Sequence, residues 1–336
     1  MKTYPLVLLF LLASSPLRAA ETLRVCFIDV EGGQATLFVS PSGQSLLVDA
    51  GWPGFNGRDA DRIAATAKAA GVKQIDYLLV THYHMDHVGG VPPLAAKIPV
   101  VTFVDHGPSV ETGKDADELV AAYGAAREKG RHRVLKPGDM IRMKGLSIEV
   151  VSAAGKMIPK PLPGAGAANP FCANTELREP DPSENAQSIG ILIKYGKFRL
   201  IDLGDLTRNK EYELACPVNR VGKVDVYVAT HHGMNLSGSP AIVQAMAPRV
   251  AIMDNGAHKG GSPEAWQVMH TSPGLEAIWQ LHYAAEAGPQ CNAPEPFIAN
   301  PEENCQGYGL TLSASADGAF VVTNARNGYS IKYPAK

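Results

Sequence analysis

Residues 81–90 read Thr-His-Tyr-His-Met-Asp-His-Val-Gly-Gly, and four of these side chains are potential metal ligands. Side chains alternate in direction along an extended backbone, so His82, His84 and Asp86 are expected to point the same way. His87 then faces the other side of the segment. Imidazole and carboxylate groups suit zinc and its first-row neighbours. One short loop is therefore predicted to serve two metal ions that lie a few ångström apart.

A buried strand is predicted directly before this loop, at residues 75–80, and strands alternate with helices on both sides of it. The first three strands, separated by short turns, are typical of an antiparallel meander. The predicted strands outside the 75–80 segment are 23–30, 35–40, 45–49, 100–104, 189–195, 198–201, 224–229, 250–253, 310–315 and 319–323, and the helices are 58–70, 116–129 and 239–247. Two packed sheets with helices outside them accommodate this order, so the fold class is α/β.

The Pro-rich stretch at about 155–185 interrupts the alternation. It is too short for a domain and is predicted to be a loop insertion. Residues 21–336 are therefore expected to form a single domain.

The composition favours a globular protein without a strong charge bias. Hydrophobic residues make up 45% and charged residues 19%, which excludes a disordered chain. The formal net charge is −2, so a basic nucleic-acid surface and a stable nucleic-acid partner are not indicated.

The N-terminus is typical of an export signal. Lys2 is followed by the short apolar run at residues 6–13, and Ala19 and Ala20 offer a cleavage point. The run is shorter than the roughly 20 residues that span a bilayer. Residues 1–20 are predicted to be a signal peptide, with no membrane span after its removal. The mature chain is then expected to be secreted or periplasmic.

Export permits disulfides among the five cysteines. Cys291 and Cys305 lie in one Pro- and Asn-rich loop and are the predicted pair, with Cys172 and Cys216 as a second candidate pair. Cys26 lies in an apolar run and is expected to be a buried thiol. The absence of a CxxC spacing argues against thiolate zinc sites.

His82-Tyr83-His84-Met85-Asp86-His87 resembles the HxHxDH signature of the metallo-β-lactamase superfamily. The resemblance implies a four-layer αββα sandwich, with the motif at one end of the cleft between the sheets. Asp49-Ala50-Gly51 resembles the superfamily's D-x-G turn, in which the Asp can hydrogen-bond the backbone of the metal loop; an ordinary turn residue is the alternative.

Two later segments resemble the remaining ligand positions of this superfamily. Gly204-Asp205 follows a predicted hairpin strand, which makes Asp205 the implied bridging ligand. Asp202 is the competitor, although it lies within the strand. His231-His232-Gly233 also follows a strand, and one of the two histidines should complete the second site. His232 is slightly favoured because of the Gly that follows it.

A third ligand histidine of the common superfamily pattern is missing, because residues 133–230 contain no His. In this respect the chain resembles the extracellular domain of ComEC-type competence proteins and the secreted phosphorylcholine esterases. Residues 25–35 and 185–188 also resemble that subgroup, although 31–34 read Glu-Gly-Gly-Gln instead of Gly-Gln-Gly-Asp.

The resemblance implies two divalent cations, most simply Zn²⁺ with Mn²⁺ as the alternative. The first site would comprise His82, His84 and Asp205. The second site would comprise Asp86, His87, Asp205 and either His231 or His232. Asp86 and His232 are also the expected catalytic residues, and the remaining His of the pair is the candidate donor to a developing oxyanion.

The function implied is an exported, phosphodiesterase-like hydrolase that attacks by metal-bound hydroxide, because the open position at the first site suits a phosphoryl oxygen. Its substrate would be a small molecule or a phosphodiester. The alternatives are an iron-dependent redox enzyme of the same fold, a lactam or lactone hydrolase, and a non-catalytic metal-binding domain.

Three more residues are candidate substrate contacts: His258, Lys259 and Ser188. A solvated glycine loop is the alternative interpretation for His258 and Lys259. His270 and His282 lie in apolar surroundings and are expected to be core or surface histidines.

Overall fold

The computed structural model describes residues 22–336, so the predicted signal peptide lies outside the described residues. The strands are β1 (Leu23–Phe27), β2 (Thr36–Val39), β3 (Ser45–Val48), β4 (Ile75–Leu79), β5 (Val100–Asp105), β6 (Arg131–Val134), β7 (Met140–Met143), β8 (Leu146–Ala153), β9 (Lys156–Met157), β10 (Gly190–Tyr195), β11 (Phe198–Asp202), β12 (Val226–Val228), β13 (Val250–Met253), β14 (Ala277–His282), β15 (Ile298–Asn300), β16 (Leu310–Ala314), β17 (Phe320–Asn324) and β18 (Ser330–Tyr333). The α-helices are α1 (Arg58–Ala69), α2 (Met85–Val88), α3 (Val91–Ala95), α4 (Lys114–Arg127), α5 (Arg208–Ala215), α6 (Pro240–Met246) and α7 (Pro263–His270).

These strands form two sheets. The first has the order β18-β17-β16-β1-β2-β3-β4-β5-β6, and the second has the order β15-β14-β13-β12-β11-β10-β8-β7, with β9 paired to β8. The predicted meander is present, because β1 pairs antiparallel with β2 and β2 pairs antiparallel with β3. Both faces of β2 and β3 are buried, which explains their continuous apolar sequences.

Three layers of apolar side chains hold the sheets and helices together. The central layer joins the two sheets and includes Phe27, Leu46, Leu200 and Trp279. A second layer packs α1, α3 and α4 on the outer face of the first sheet. A third packs α5, α6 and α7 on the outer face of the second sheet. The predicted four-layer αββα sandwich is therefore confirmed.

Strand direction explains where the functional loops lie. The neighbours β3, β4 and β5 are parallel, and so are β11, β12, β13 and β14. The segments that follow the carboxyl ends of parallel strands emerge at one edge of a sheet, and this edge is the usual place for ligands in α/β proteins. The loops after β4, β11 and β12 carry the predicted metal ligands.

The Pro-rich insertion holds little regular structure. Residues 155–185 contain β9, a 3₁₀ helix at Pro170–Asn174 and the start of another at Glu184–Gln187. A disulfide between Cys172 and Cys216 joins this segment to the end of α5.

The predicted Cys291–Cys305 disulfide is wrong, because both thiols are free in the structure. Cys291 packs with the apolar layer outside the second sheet, whereas the Cys305 sulfur lies 3.4 Å from a carboxylate oxygen of Asp29. Proximity in the chain therefore does not bring the two sulfurs together. Cys26 is half-buried, and burial raises the pKa of its thiol.

Between residues 22 and 336, no helix is both long enough and apolar enough to cross a bilayer.

We expect replacement of Cys172 by Ser to lower the free energy of unfolding by about 2–4 kcal/mol, because the disulfide closes a long loop in the unfolded chain. Denaturant unfolding of the oxidised protein measures the loss. Cys26→Ser removes a free thiol and is the matched control. A linked 291–305 peptide in a non-reducing peptide map would contradict the pairing.

Candidate metal centre

The metal loop begins where β4 ends and continues into α2. His84 has extended backbone angles and immediately precedes the first turn of α2, which contains Asp86 and His87. Gly90 permits close packing behind the loop, since a Cβ at this position would lie 1.9 Å from the Ala50 carbonyl oxygen. The Gly-Gly pair after the ligands therefore allows the loop to sit directly on the turn that follows β3.

Four buried side chains converge in the cleft between the sheets. Ligand atoms of Asp86, His87, Asp205 and His232 all lie within 4.8 Å of one another. The Nε2 atoms of His87 and His232 are 3.2 Å apart, and each is 3.2 Å from Oδ2 of Asp86. Of the predicted pair, His232 is thus the histidine that joins this group.

Asp205 connects this group to a second one. Its Oδ1 atom lies 3.3 Å from Nε2 of His87 and 3.5 Å from Nε2 of His232. Its Oδ2 atom lies 3.3 Å from Nε2 of His231 and 3.9 Å from Nε2 of His82. The two oxygens of one carboxylate therefore serve two different sets of imidazoles, as a bridging ligand must.

His84 lies beside the second group, with its ring 4.7 Å from that of His82. The candidate metal centre thus comprises His82, His84, Asp86, His87, Asp205, His231 and His232.

The hydrogen bonding of these side chains fits bound cations. Within residues 22–336, His82 Nε2 and Asp205 Oδ1 are buried atoms that make no hydrogen bond. Burial alone would raise the pKa of Asp205, but nearby His87, His231 and His232 hold it well below its usual value. Burial and the neighbouring His87 lower the pKa of His82. Both groups are therefore in the forms that bind metals, a carboxylate and a neutral imidazole. Burial alone would lower the pKa of His87 and of His232, but Asp205 raises both, that of His232 to about 10, so a bound cation would displace protons from these two rings.

A hydrogen-bond partner orients the imidazole of His87, on the ring nitrogen that faces away from the other ligands. Asp49 Oδ2 lies 2.8 Å from Nδ1 of His87, and the same carboxylate accepts hydrogen bonds from the backbone N–H and the hydroxyl of Thr81. Asp49 thus holds the metal loop as predicted. Asp254 lies 3.6 Å from Nδ1 of His232. The hydrogen bond from His87 to Asp49 fixes the tautomer and the ring orientation of this histidine, whereas the Asp254 carboxylate lies beyond hydrogen-bond distance of His232.

Glu111 is a candidate site residue that the sequence analysis missed. Its Oε1 atom lies 2.9 Å from Nε2 of His84, which leaves Nδ1 of His84 available to a metal ion. The buried carboxylate of Glu184 accepts hydrogen bonds from the backbone N–H groups of Tyr83 and Val110, so it ties the Glu111 loop to the metal loop. The one signal in the sequence was that Glu111 lies in the loop that follows β5.

Asp202, the competitor for the bridging position, lies outside these groups. It accepts hydrogen bonds from Gln34 Nε2 and from the Gly204 backbone N–H, and burial raises its pKa to about 7. The predicted substrate contact of Ser188 needs correction. Ser188 is fully buried, and its hydroxyl accepts a hydrogen bond from the Asp205 backbone N–H, so it supports the bridging residue instead.

Lys259 and His258 occupy different surroundings. The Lys259 ammonium forms an ion pair with Asp86 and lies 4.9 Å from the centre of the Trp52 ring. His258 is exposed and lies 3.3 Å from Glu303. Both line a cavity of about 330 Å³, but only Lys259 contacts the metal centre.

Residues 28–166 match the family model of the metallo-beta-lactamase superfamily. The chain contains a metallo-β-lactamase superfamily domain. The match covers the metal loop and its flanking strands, so the family predicted from residues 82–87 is confirmed. Members of this superfamily include metal-dependent hydrolases.

Curated relatives of this domain include competence-type proteins. The chain is 30% identical over 190 residues to ComE operon protein 3 of Bacillus subtilis, which covers 56% of this chain and 21% of that protein. It is 25% identical over 252 residues to Recombination protein 2 of Haemophilus influenzae, covering 74% and 26%. The chain therefore spans only about a quarter or less of the length of these relatives. Ribonuclease Z of Methanopyrus kandleri is 29% identical over 115 residues, covering 34% of this chain and 37% of that protein.

Solved structures with a similar fold include the metallo-beta-lactamase fold protein YhfI from Bacillus subtilis. It is 13% identical with a TM-score of 0.48, and the match covers 76% of this chain and 95% of that one. CmlA, a diiron beta-hydroxylase from Streptomyces venezuelae, is 16% identical with a TM-score of 0.41, covering 76% and 48%.

We expect Asp205→Asn to bind two metal ions fewer than the parent protein, because Asp205 is the carboxylate shared by both groups. Asp202→Asn is the matched control, since it makes the same change three residues away and should retain both ions. Elemental analysis of protein purified without chelators measures the metal content. Loss of the ions from Asp202→Asn with retention in Asp205→Asn would show that the bridge is misplaced.

Glu111→Ala should weaken the affinity for the ion held by His82 and His84 by about 10–100-fold, because the His84 ring loses its orienting partner. Metal titration should show one weakened and one unchanged binding step. Glu118→Ala, at an exposed position on α4, is the control. Equal affinities in parent and Glu111→Ala proteins would show that Glu111 does not orient the ligand.

Proposed function

We propose that this chain is an exported dinuclear metal hydrolase that cleaves phosphodiesters. The observation that carries the proposal is the division of the Asp205 carboxylate between two sets of buried imidazoles. One ion would be held by His82, His84 and Asp205, and the other by Asp86, His87, Asp205 and His232. When bound, such a pair supplies a nucleophilic hydroxide near neutral pH and Lewis-acid stabilisation of charged oxygens.

Zinc is the proposed metal, with manganese as the alternative. The donors around Asp205 are imidazole nitrogens and carboxylate oxygens. This set suits zinc and also its first-row neighbours, so the donor chemistry supports the class of metal, and elemental analysis of protein purified without chelators discriminates among its members.

His231 supports the hydrolytic step from the side of the first ion. It is buried, its Nε2 points at Asp205 Oδ2, and its Nδ1 lies 3.3 Å from the hydroxyl of Ser237. Burial lowers the pKa of His231, so the ring is neutral at neutral pH and has one N–H to donate. We assign that N–H to the oxygen on which negative charge develops.

Lys259 favours an anionic substrate. Its ammonium group reaches Asp86 at the edge of the centre, and the Trp52 ring limits its movement on one side. A cation in this position attracts a phosphodiester, which carries a negative charge at neutral pH. The adjoining cavity of about 330 Å³ provides room for the groups attached to the phosphate.

Export is proposed on two grounds. The predicted signal peptide precedes the described residues, and the Cys172–Cys216 disulfide is typical of proteins from oxidising compartments. We therefore assign the mature protein to the periplasm or the extracellular space.

We expect the zinc-loaded protein to hydrolyse bis-p-nitrophenyl phosphate and to lose this activity on chelation. His231→Ala should keep both ions of the centre but lower kcat by roughly 10²–10³, because it removes one oxyanion donor. Steady-state kinetics and elemental analysis of the same preparations measure the two effects. His270→Ala, at an exposed histidine on α7, is the control and should leave both unchanged.

Three outcomes would contradict this proposal. Turnover of nitrocefin without any phosphodiester hydrolysis would identify a lactam hydrolase. Iron-dependent oxygen consumption would place the chain in the redox class. Loss of an ion from His231→Ala would make His231 a ligand instead of a donor.

A further inference from the structure

A second group of metal-binding side chain types lies outside the candidate metal centre. Asp29 follows β1 of the first sheet, His282 ends β14 of the second sheet, and Cys305 lies in the segment after β15. Their nitrogen, oxygen and sulfur atoms lie within 4.8 Å of one another. None of these residues belongs to the metal centre. They lie at the end of, or after, strands β1, β14 and β15.

The contacts within this group are short and mostly buried. Nε2 of His282 lies 2.8 Å from Oδ1 of Asp29, and Sγ of Cys305 lies 3.4 Å from Oδ2 of the same carboxylate. Glu31 adds a second carboxylate, with Oε1 3.7 Å from the sulfur. Asp29 and His282 are at most 1% exposed, whereas Cys305 is half-buried. We call these four residues the Cys305 cluster.

The two sulfur–oxygen distances, 3.4 and 3.7 Å, match the spacing of donors around a tetrahedral zinc ion, whereas the 2.8 Å hydrogen bond between His282 and Asp29 would be replaced by coordination of both groups. With Zn–S near 2.3 Å and Zn–N or Zn–O near 2.0–2.2 Å, neighbouring donors in such a site lie about 3–4 Å apart. One thiolate, one imidazole and two carboxylates are all zinc ligands, and the sulfur favours zinc over the harder magnesium and calcium ions. We propose that Asp29, Glu31, His282 and Cys305 bind one zinc ion that joins the two sheets beside the catalytic cleft.

The neighbouring arginine is compatible with this assignment. Arg62 lies 3.0 Å from Oδ2 of Asp29 and 3.2 Å from Oε1 of Glu31. A carboxylate oxygen has two lone pairs, so it can accept from a guanidinium and bind a cation together. Two carboxylates and a thiolate exceed the charge of one divalent ion, and the Arg62 charge offsets the remainder.

The cluster is accessible and lies next to the substrate side of the fold. A cavity of about 250 Å³ is lined by Asp29, Arg62 and Gly307, which gives an ion a route inward. The Glu31–Gly32 turn packs against the loop that carries Lys259, because a Cβ on Gly32 would lie 2.9 Å from the Lys259 Cβ. Zinc in the Cys305 cluster would therefore stabilise the backbone that supports Lys259.

Cobalt substitution tests this site separately from the metal centre. The centre offers only nitrogen and oxygen donors, so a thiolate-to-cobalt charge-transfer band in the near ultraviolet reports on cysteine ligation alone. We expect one equivalent of Co²⁺ to produce this band in the full mature chain. Cys305→Ser should abolish the band and reduce the metal content by one ion, while the ions at the centre remain.

Matched variants separate this inference from the proposed function. Cys26→Ser and Cys291→Ser remove the other two free thiols and should keep the band. Asp205→Asn should empty the metal centre and also keep the band. Absence of the band from cobalt-saturated parent protein, or its persistence in Cys305→Ser, would overturn the proposed zinc site without affecting the case for the centre.

Discussion

The rest of the structure depends on one constraint. The buried carboxylate of Asp205 lies between two groups of imidazoles and is shared by both. Asp205 follows a strand of the second sheet, yet its Oδ1 faces His87 from the first sheet. Taking a carboxylate out of water costs several kcal/mol unless it is paired, and Asp205 is paired by imidazoles from both sheets, His87 from the first and the two histidines after β12 from the second. The two sheets must therefore meet in one register at this edge, and the large apolar layer between them maintains it.

The imidazoles in turn depend on loops that contact no metal themselves. Asp49, Glu111 and Asp254 follow three different strands. Each carboxylate lies near one ring nitrogen of a candidate ligand histidine and leaves the other ring nitrogen for a metal ion. Parallel strands place these loops at the same edge of the sandwich, which is why residues far apart in the chain meet here. The architecture thus supplies ligands and their orienting partners from one set of loops, and other loops at the same edge are free to vary for the substrate.

The spacing of residues 82–87 was enough to predict the family, the sandwich and the position of the metal loop, because a dense ligand pattern after a strand is specific. Contacts made only in three dimensions were not predictable. Glu111 has no motif around it, and Cys291 and Cys305 are close in sequence but face different surroundings. Strand β14 escaped prediction because Gln280 and His282 are buried polar residues with partners from distant loops, which breaks the apolar pattern of a core strand.

The metal centre and the Cys305 cluster lie at the same edge of the sandwich, but they differ in how their polar atoms are partnered. The metal centre has unpaired buried atoms, such as His82 Nε2, and an open side at which Lys259 reaches Asp86. In the Cys305 cluster Asp29 accepts hydrogen bonds from the Glu31 backbone N–H, Arg62 and His282, and the proposed zinc ion would replace the hydrogen bond from His282. Reaction chemistry requires a coordination position that a substrate can enter, whereas a structural ion requires a closed set of protein ligands. On the two proposals made above, the same edge of the fold would support hydrolysis at one point and reinforcement of the loop that carries Lys259 at another.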